Sequence, residues 1–124
     1  MKKEDVVLLD SIAHSAPEHR DRIIVGGSHG GLNVGQVLLN RVHPKFAVLN
    51  DAGMGKNDAA ILGVKLLGEN GIAAASADCM TAMIGNADDT YENGVLSFVN
   101  SAAEKMGIKV GMKVKEACDI ADRA

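Results

Sequence analysis

The chain has no tryptophan, one tyrosine and two phenylalanines among its 124 residues. So small an aromatic supply argues against a platform on which nucleic-acid bases stack, and it leaves an aliphatic interior in which backbones pack closely. Positive charge is not in excess either. The 13 Lys and Arg stand against 16 Asp and Glu, a net charge of −3, which is the reverse of a DNA- or RNA-binding footprint. The two cysteines, Cys79 and Cys118, are too few for a disulfide framework, and both are expected to be reduced thiols. The apolar run Val6 to Leu9 is cut off by Asp10, too short for a signal-peptide core or a membrane span. These absences predict a cytoplasmic protein with no nucleic-acid and no membrane partner.

What is present suits one folded unit. Hydrophobic residues make up 47% and charged residues 23%, enough apolar mass for one core, so residues 1–124 are expected to form a single domain. Arg22 to Gly27 reads as a buried β-branched strand that breaks into glycine, and Leu32, Val34, Val37, Leu38 and Leu39 recur at helical spacing, predicting a helix over 31–41 before Pro44. The unit then repeats, with a strand over 46–50, a glycine loop over 51–55 and a helix over 59–67. A third apolar strand follows over 72–77. A long helix is expected over 88–106, its inward face carrying Tyr91, Val95, Phe98, Val99 and Ala102. At the ends, Val6 to Asp10 reads as a strand, Pro17 to His19 as one helical turn and Met112 to Ala121 as a short helix. Alternating strands and helices predict an α/β fold: a small three-layer domain with a short, mainly parallel sheet of three or four strands flanked by helices, flavodoxin- or Rossmann-like in topology.

In such a sheet the carboxyl ends of the strands share one edge, where ligands bind. The polar residues cluster there: Asp10 and Ser11, Ser28 and His29, Asn50, Asp51 and Lys56, and Asp78, Cys79 and Thr81. In Gly26-Gly-Ser-His-Gly-Gly31 the glycines let backbone approach a ligand and turn N–H groups toward an anion, so Gly27, Gly30 and Gly31 are candidate ligand-binding positions. Ser28 stands where a dinucleotide fingerprint requires glycine. Asp51-Ala-Gly-Met-Gly-Lys56 ends like a phosphate-binding P-loop, but Asn50 and Asn57 replace the first glycine and the magnesium-binding hydroxyl, which excludes an ATPase. Asn50, Gly53, Gly55, Lys56 and Asp78 remain as ligand-binding candidates.

These residues predict an enzyme that acts on a small anionic metabolite bearing a carboxylate or phosphate. His29 is its acid or base, Asp51 orients His29 or acts itself, and Ser28 serves as nucleophile or oxyanion donor. The competing expectation is a non-catalytic ligand-binding or oligomerisation module built from the same loops. No metal is expected: His29, Asp51 and Asp78 converge only in space, and no H-x-x-x-H, H-E-x-x-H or paired C-x-x-C spacing exists. No cofactor is specified. Cys79 reads as buried rather than reactive. Asp88 or Asp89 is expected to cap the helix that follows, in a segment able to fold over the edge as a lid. Leu96, Met106, Ile108, Val110, Met112, Val114 and Ile120 exceed what a three-stranded sheet covers, which predicts a homo-oligomer.

Overall fold

The computed structural model covers residues 1–124 and has a five-stranded sheet. Strands β1 (Val7–Leu9), β2 (Ile23–His29), β3 (Phe46–Asn50) and β4 (Ala73–Ala77) are parallel, and β5 (Leu96–Val99) closes the sheet antiparallel to β4. The strands stand side by side in chain order. The sheet therefore lacks the reversal of strand order that marks the ligand crevice of flavodoxin-like and Rossmann sheets. Helix α1 (Leu32–Val37), which a widened turn extends over Leu38–Val42, and helix α2 (Leu62–Glu69) follow β2 and β3. Three shorter or later helices complete the chain: α3 (Ala87–Asn93), α4 (Ser101–Lys105) and α5 (Val114–Arg123). No helix is long and apolar enough to cross a membrane.

Two-residue alternation divides the strands between two cores. Ile24, Ala47, Leu49 and Ala74 meet Leu38, Val42, Val64 and Leu67 on the α1–α2 face. On the other face, Val25, Phe46, Val48 and Ala75 meet Tyr91 of α3 and Val114, Ala117 and Ala121 of α5. Burial on both faces is why the strands read as continuous apolar runs. The three-layer α/β architecture is the expected one.

The helix expected over 88–106 is instead α3, β5 and α4. Gly94 leaves no room for a Cβ, which would meet the Thr90 carbonyl oxygen at 2.5 Å, and it ends α3. Asn100 then starts α4 by accepting from the Ala103 N–H at 3.0 Å. The same side chain accepts from Ala74 N–H and donates to the carbonyls of Val64 and Ile72, binding α2, β4 and α4 together from a buried position. Most of the apolar residues that suggested an oligomer pack within the fold, while Val110 stays 62% exposed. Leu96, Ile108 and Val114 are buried, and Met106, Met112 and Ile120 pack against the core.

Helices α1 and α2 touch backbone to backbone at Gly35 and Gly63, where an added Cβ on Gly63 would strike the Gly31 carbonyl oxygen and one on Gly35 would strike the Gly63 Cα. Alanine would gain about 1 kcal/mol of intrinsic helix preference. Here the obstacle is main chain that holds the candidate site, and overpacking costs about 1–3 kcal/mol or more. Gly63→Ala is therefore expected to lower Tm by several degrees in a thermal melt followed by circular dichroism. An unchanged or raised Tm would show that the two helices do not approach this closely.

Candidate functional site at the carboxyl edge

The ends of β2, β3 and β4 bring the expected loops to one edge. His29 pairs in register with Asn50, and Asn50 with Ala77, so His29, Asp51 and Asp78 leave adjacent strands at one level. Between the Val25–Val48 and His29–Asn50 pairs, β2 uses three residues where β3 uses only Leu49. This bulge re-aims the end of β2. Gly27 permits it, since a Cβ there would lie 2.5 Å from the Asp10 carbonyl oxygen and 2.6 Å from the Asn86 nitrogen.

The glycine turn after β2 is occupied by its own chain. The Gly30 N–H donates to the Asn50 carbonyl at 3.1 Å, and the Gly31 N–H donates to His29 Nδ1 at 3.0 Å. Neither N–H is free for an anion, contrary to the expectation from sequence. With Nδ1 accepting, the neutral His29 ring carries its proton on Nε2, so the nitrogen left free on this exposed residue is a donor. Ser28 is turned away, its Oγ accepting from the Ile12 N–H at 2.9 Å.

Asp51 is only 4% exposed and is the most heavily bonded side chain of the edge. Oδ1 accepts from the N–H groups of Gly53 and Cys79 at 2.9 and 3.0 Å, and Oδ2 accepts from the Ser97 hydroxyl at 2.6 Å. Burial pushes this carboxyl upward. The hydrogen bonds from Ser97, Gly53 and Cys79 outweigh burial and hold it below the ordinary carboxylate range. Asp51 makes no bond to His29, so its contacts give it a structural part rather than that of orienting the imidazole. Asn50 likewise works on the frame, donating from Nδ2 to the Ala82 carbonyl and accepting from the Ala52 N–H.

Asp51, Asp78 and Cys79 offer ligand atoms within 4.8 Å of one another. Both Asp51 oxygens already accept hydrogen bonds, and Asp78 Oδ1 accepts from the Met80 N–H. Desolvation, then the hydrogen bond to Asp51 and the charges of Asp51 and Asp78, push the Cys79 thiol above its usual range. A raised thiol does not suit a thiolate nucleophile, and Cys79 is half-buried rather than buried as expected.

The loop from Asp51 to α2 is unusual in its backbone. Ala52, Met54, Asn57 and Asp58 have φ of 47°, 74°, 55° and 59°, with Gly53 and Gly55 at 75° and 71° between them. Left-handed backbone costs an ordinary L-residue about 1–2 kcal/mol, although Asn and Asp tolerate it best. Lys56 lies in this loop, exposed, and takes part in none of the ion pairs of the chain.

The lid-like segment is fastened rather than free. Asn86, rather than the expected Asp88 or Asp89, caps α3 by accepting from the Asp89 N–H, and Asp10 Oδ1 accepts from the Ala87 N–H. Gly85 N–H donates to the Gly27 carbonyl. Ser97 is the site residue that sequence reasoning missed. It lay hidden inside the long helix, and the breakers Gly94 and Asn100 on either side of a short apolar run are the pattern that reveals its strand.

No protein-family model, curated protein or solved structure matches this chain.

Replacing Asp51 with Ala leaves two N–H groups and a hydroxyl unpaired, and is expected to cost about 2–4 kcal/mol of stability at pH 7. Because the folded carboxyl ionises below the unfolded one, its contribution is complete above about pH 4 and is lost as pH falls through the folded value. In urea denaturation from pH 7 to 3, the stability gap between wild type and Asp51→Asn should hold steady to about pH 4.5 and narrow below it. A gap independent of pH would contradict an ionised, bonded Asp51.

Proposed function

We propose that the chain is a small-molecule enzyme whose substrate is an anionic metabolite bearing a carboxylate or phosphate. The substrate lies between the turn after β2 and the Asp51–Asp58 loop, with Lys56 meeting its charge. The observation that carries this proposal is the run of left-handed residues in that loop. Strain of this kind persists where the surroundings impose a particular shape, and it gathers at ligand sites. Most carboxylates around the loop are engaged by local donors: Asp10 by Ala87, Asp51 by three groups, Asp78 by Met80 and Asp89 by Met83 and Asn93. Lys56 is left as the unpaired cation beside exposed Asp58.

His29 is the proton-transferring group. The Gly31 N–H on Nδ1 leaves Nε2 as the ring nitrogen free for a ligand, so the neutral ring is set to donate toward a developing oxyanion or leaving oxygen. Ser28 Oγ is held by the Ile12 N–H, so the proposed chemistry rests on His29 as donor and Lys56 as anion clamp. The absence of any Asp51–His29 bond favours a second reading, in which the same loops hold the ligand without turning it over.

Thermal melts with phosphate, sulfate, malonate and a set of phosphorylated and carboxylated metabolites separate these readings. A ligand at one hundred times its Kd stabilises by about 2.7 kcal/mol. Lys56→Ala should abolish most of that gain. For any metabolite that shifts Tm, His29→Gln should keep the shift and lose turnover followed by NMR if the chain is an enzyme. Loss of neither, with no turnover in wild type, selects the binding module. No shift with any anion, or an equal shift in Lys56→Ala, overturns the anion site.

A further inference from the structure

The other half of the carboxyl edge has the opposite character. Between β4 and α3, Met80, Met83 and Ile84 are 88%, 66% and 52% exposed. With Cys79, Thr81 and Asp89 they line a groove of about 440 Å³. Exposed large aliphatics that share a groove mark interaction surfaces, whereas single ones do not. Methionine suits such a surface because its unbranched, polarisable side chain adapts to different shapes.

Charge indicates what covers it. The sixteen residues from Asp78 to Asn93 hold four carboxylates, Asp78, Asp88, Asp89 and Glu92, and no Lys or Arg. Lys3 neutralises Asp88, and together with Lys115 it neutralises Glu92. Asp78 and Asp89, which flank the methionines, have no cationic partner. A second copy of the chain placed on this surface would set carboxylate against carboxylate. A partner with cations around an apolar anchor would find both of its features matched.

We propose that the Met80–Met83–Ile84 groove is a docking site for a basic amphipathic segment of another protein, which seats apolar side chains on the methionines and directs Lys or Arg toward Asp78 and Asp89. The segment itself is held as a platform by fixed bonds: Met80 N–H to Asp78, Met83 N–H to Asp89 and Gly85 N–H to the Gly27 carbonyl. Binding therefore requires little reordering on this side, the arrangement by which grooves receive helices.

Fluorescence anisotropy with two labelled designed helices of equal length and apolar content, one Leu/Lys and one Leu/Glu, tests the proposal on the full chain. The Leu/Lys helix should bind and the Leu/Glu helix should not. Met80→Ser/Met83→Ser, which changes no charge, should weaken binding by about tenfold or more. Asp78→Asn should weaken it and reduce its salt dependence, whereas the remote pair Glu18→Gln/Asp21→Asn should leave it unchanged. Equal binding of both helices, no binding of either, or equal loss in the remote variant overturns the proposal. So does a dimer in light scattering that Met80→Ser/Met83→Ser converts to monomer, since the surface would then be covered by a second copy.

Discussion

A carboxylate kept ionised inside the protein fixes the carboxyl edge of this sheet. Asp51 is accepted there because donors from three separated segments converge on it: its own loop through Gly53, the exit of β4 through Cys79, and β5 through Ser97. A buried charge lacking these donors would be costly enough to protonate or unfold the edge. The same bonds set where the 51–58 loop begins and where the methionine-bearing segment leaves β4. Asp51 thus sets the geometry of both halves of the edge.

The two halves differ because the chain leaves β3 and β4 toward opposite faces. The β3 exit runs through left-handed positions to α2 and carries Lys56, while the β4 exit crosses to the end of β2 and carries exposed methionines among acidic residues. The proposed anion site and the acidic apolar surface are separated at this edge because Lys56 lies on the β3 exit, whereas Asp78, Asp89 and the methionines lie on the β4 exit.

The parallel part of the fold was legible because it obeys short-range rules. Strands buried on both faces appear as apolar runs such as Phe46–Asn50, and glycine marks where they end. The residues around Leu96 were not legible in the same way. Tyr91, Val95, Phe98, Val99 and Ala102 also fit a helical face, and the choice between helix and strand depended on Gly94, Asn100 and the open edge of β4. The candidate site followed the same division. That His29, Asp51 and Lys56 reach one edge is a consequence of parallel topology. Which way each side chain turns is decided by long-range partners, such as Ile12 for Ser28 and Ser97 for Asp51, which no local spacing reveals. The glycines of 26–31 read as an anion cradle because glycine serves close approach of backbone to backbone as readily as backbone to ligand. Gly27 and Gly30 are packed against main chain of this protein.

The most direct measurement is an amide NMR titration of the full chain with inorganic phosphate. A site between the β2 turn and the strained loop requires the largest shift changes at the N–H groups of residues 29–34 and 51–58, with the methionine segment largely unmoved. Changes centred on Arg22 and Lys45 at the opposite edge, or changes spread evenly over surface lysines, would contradict it.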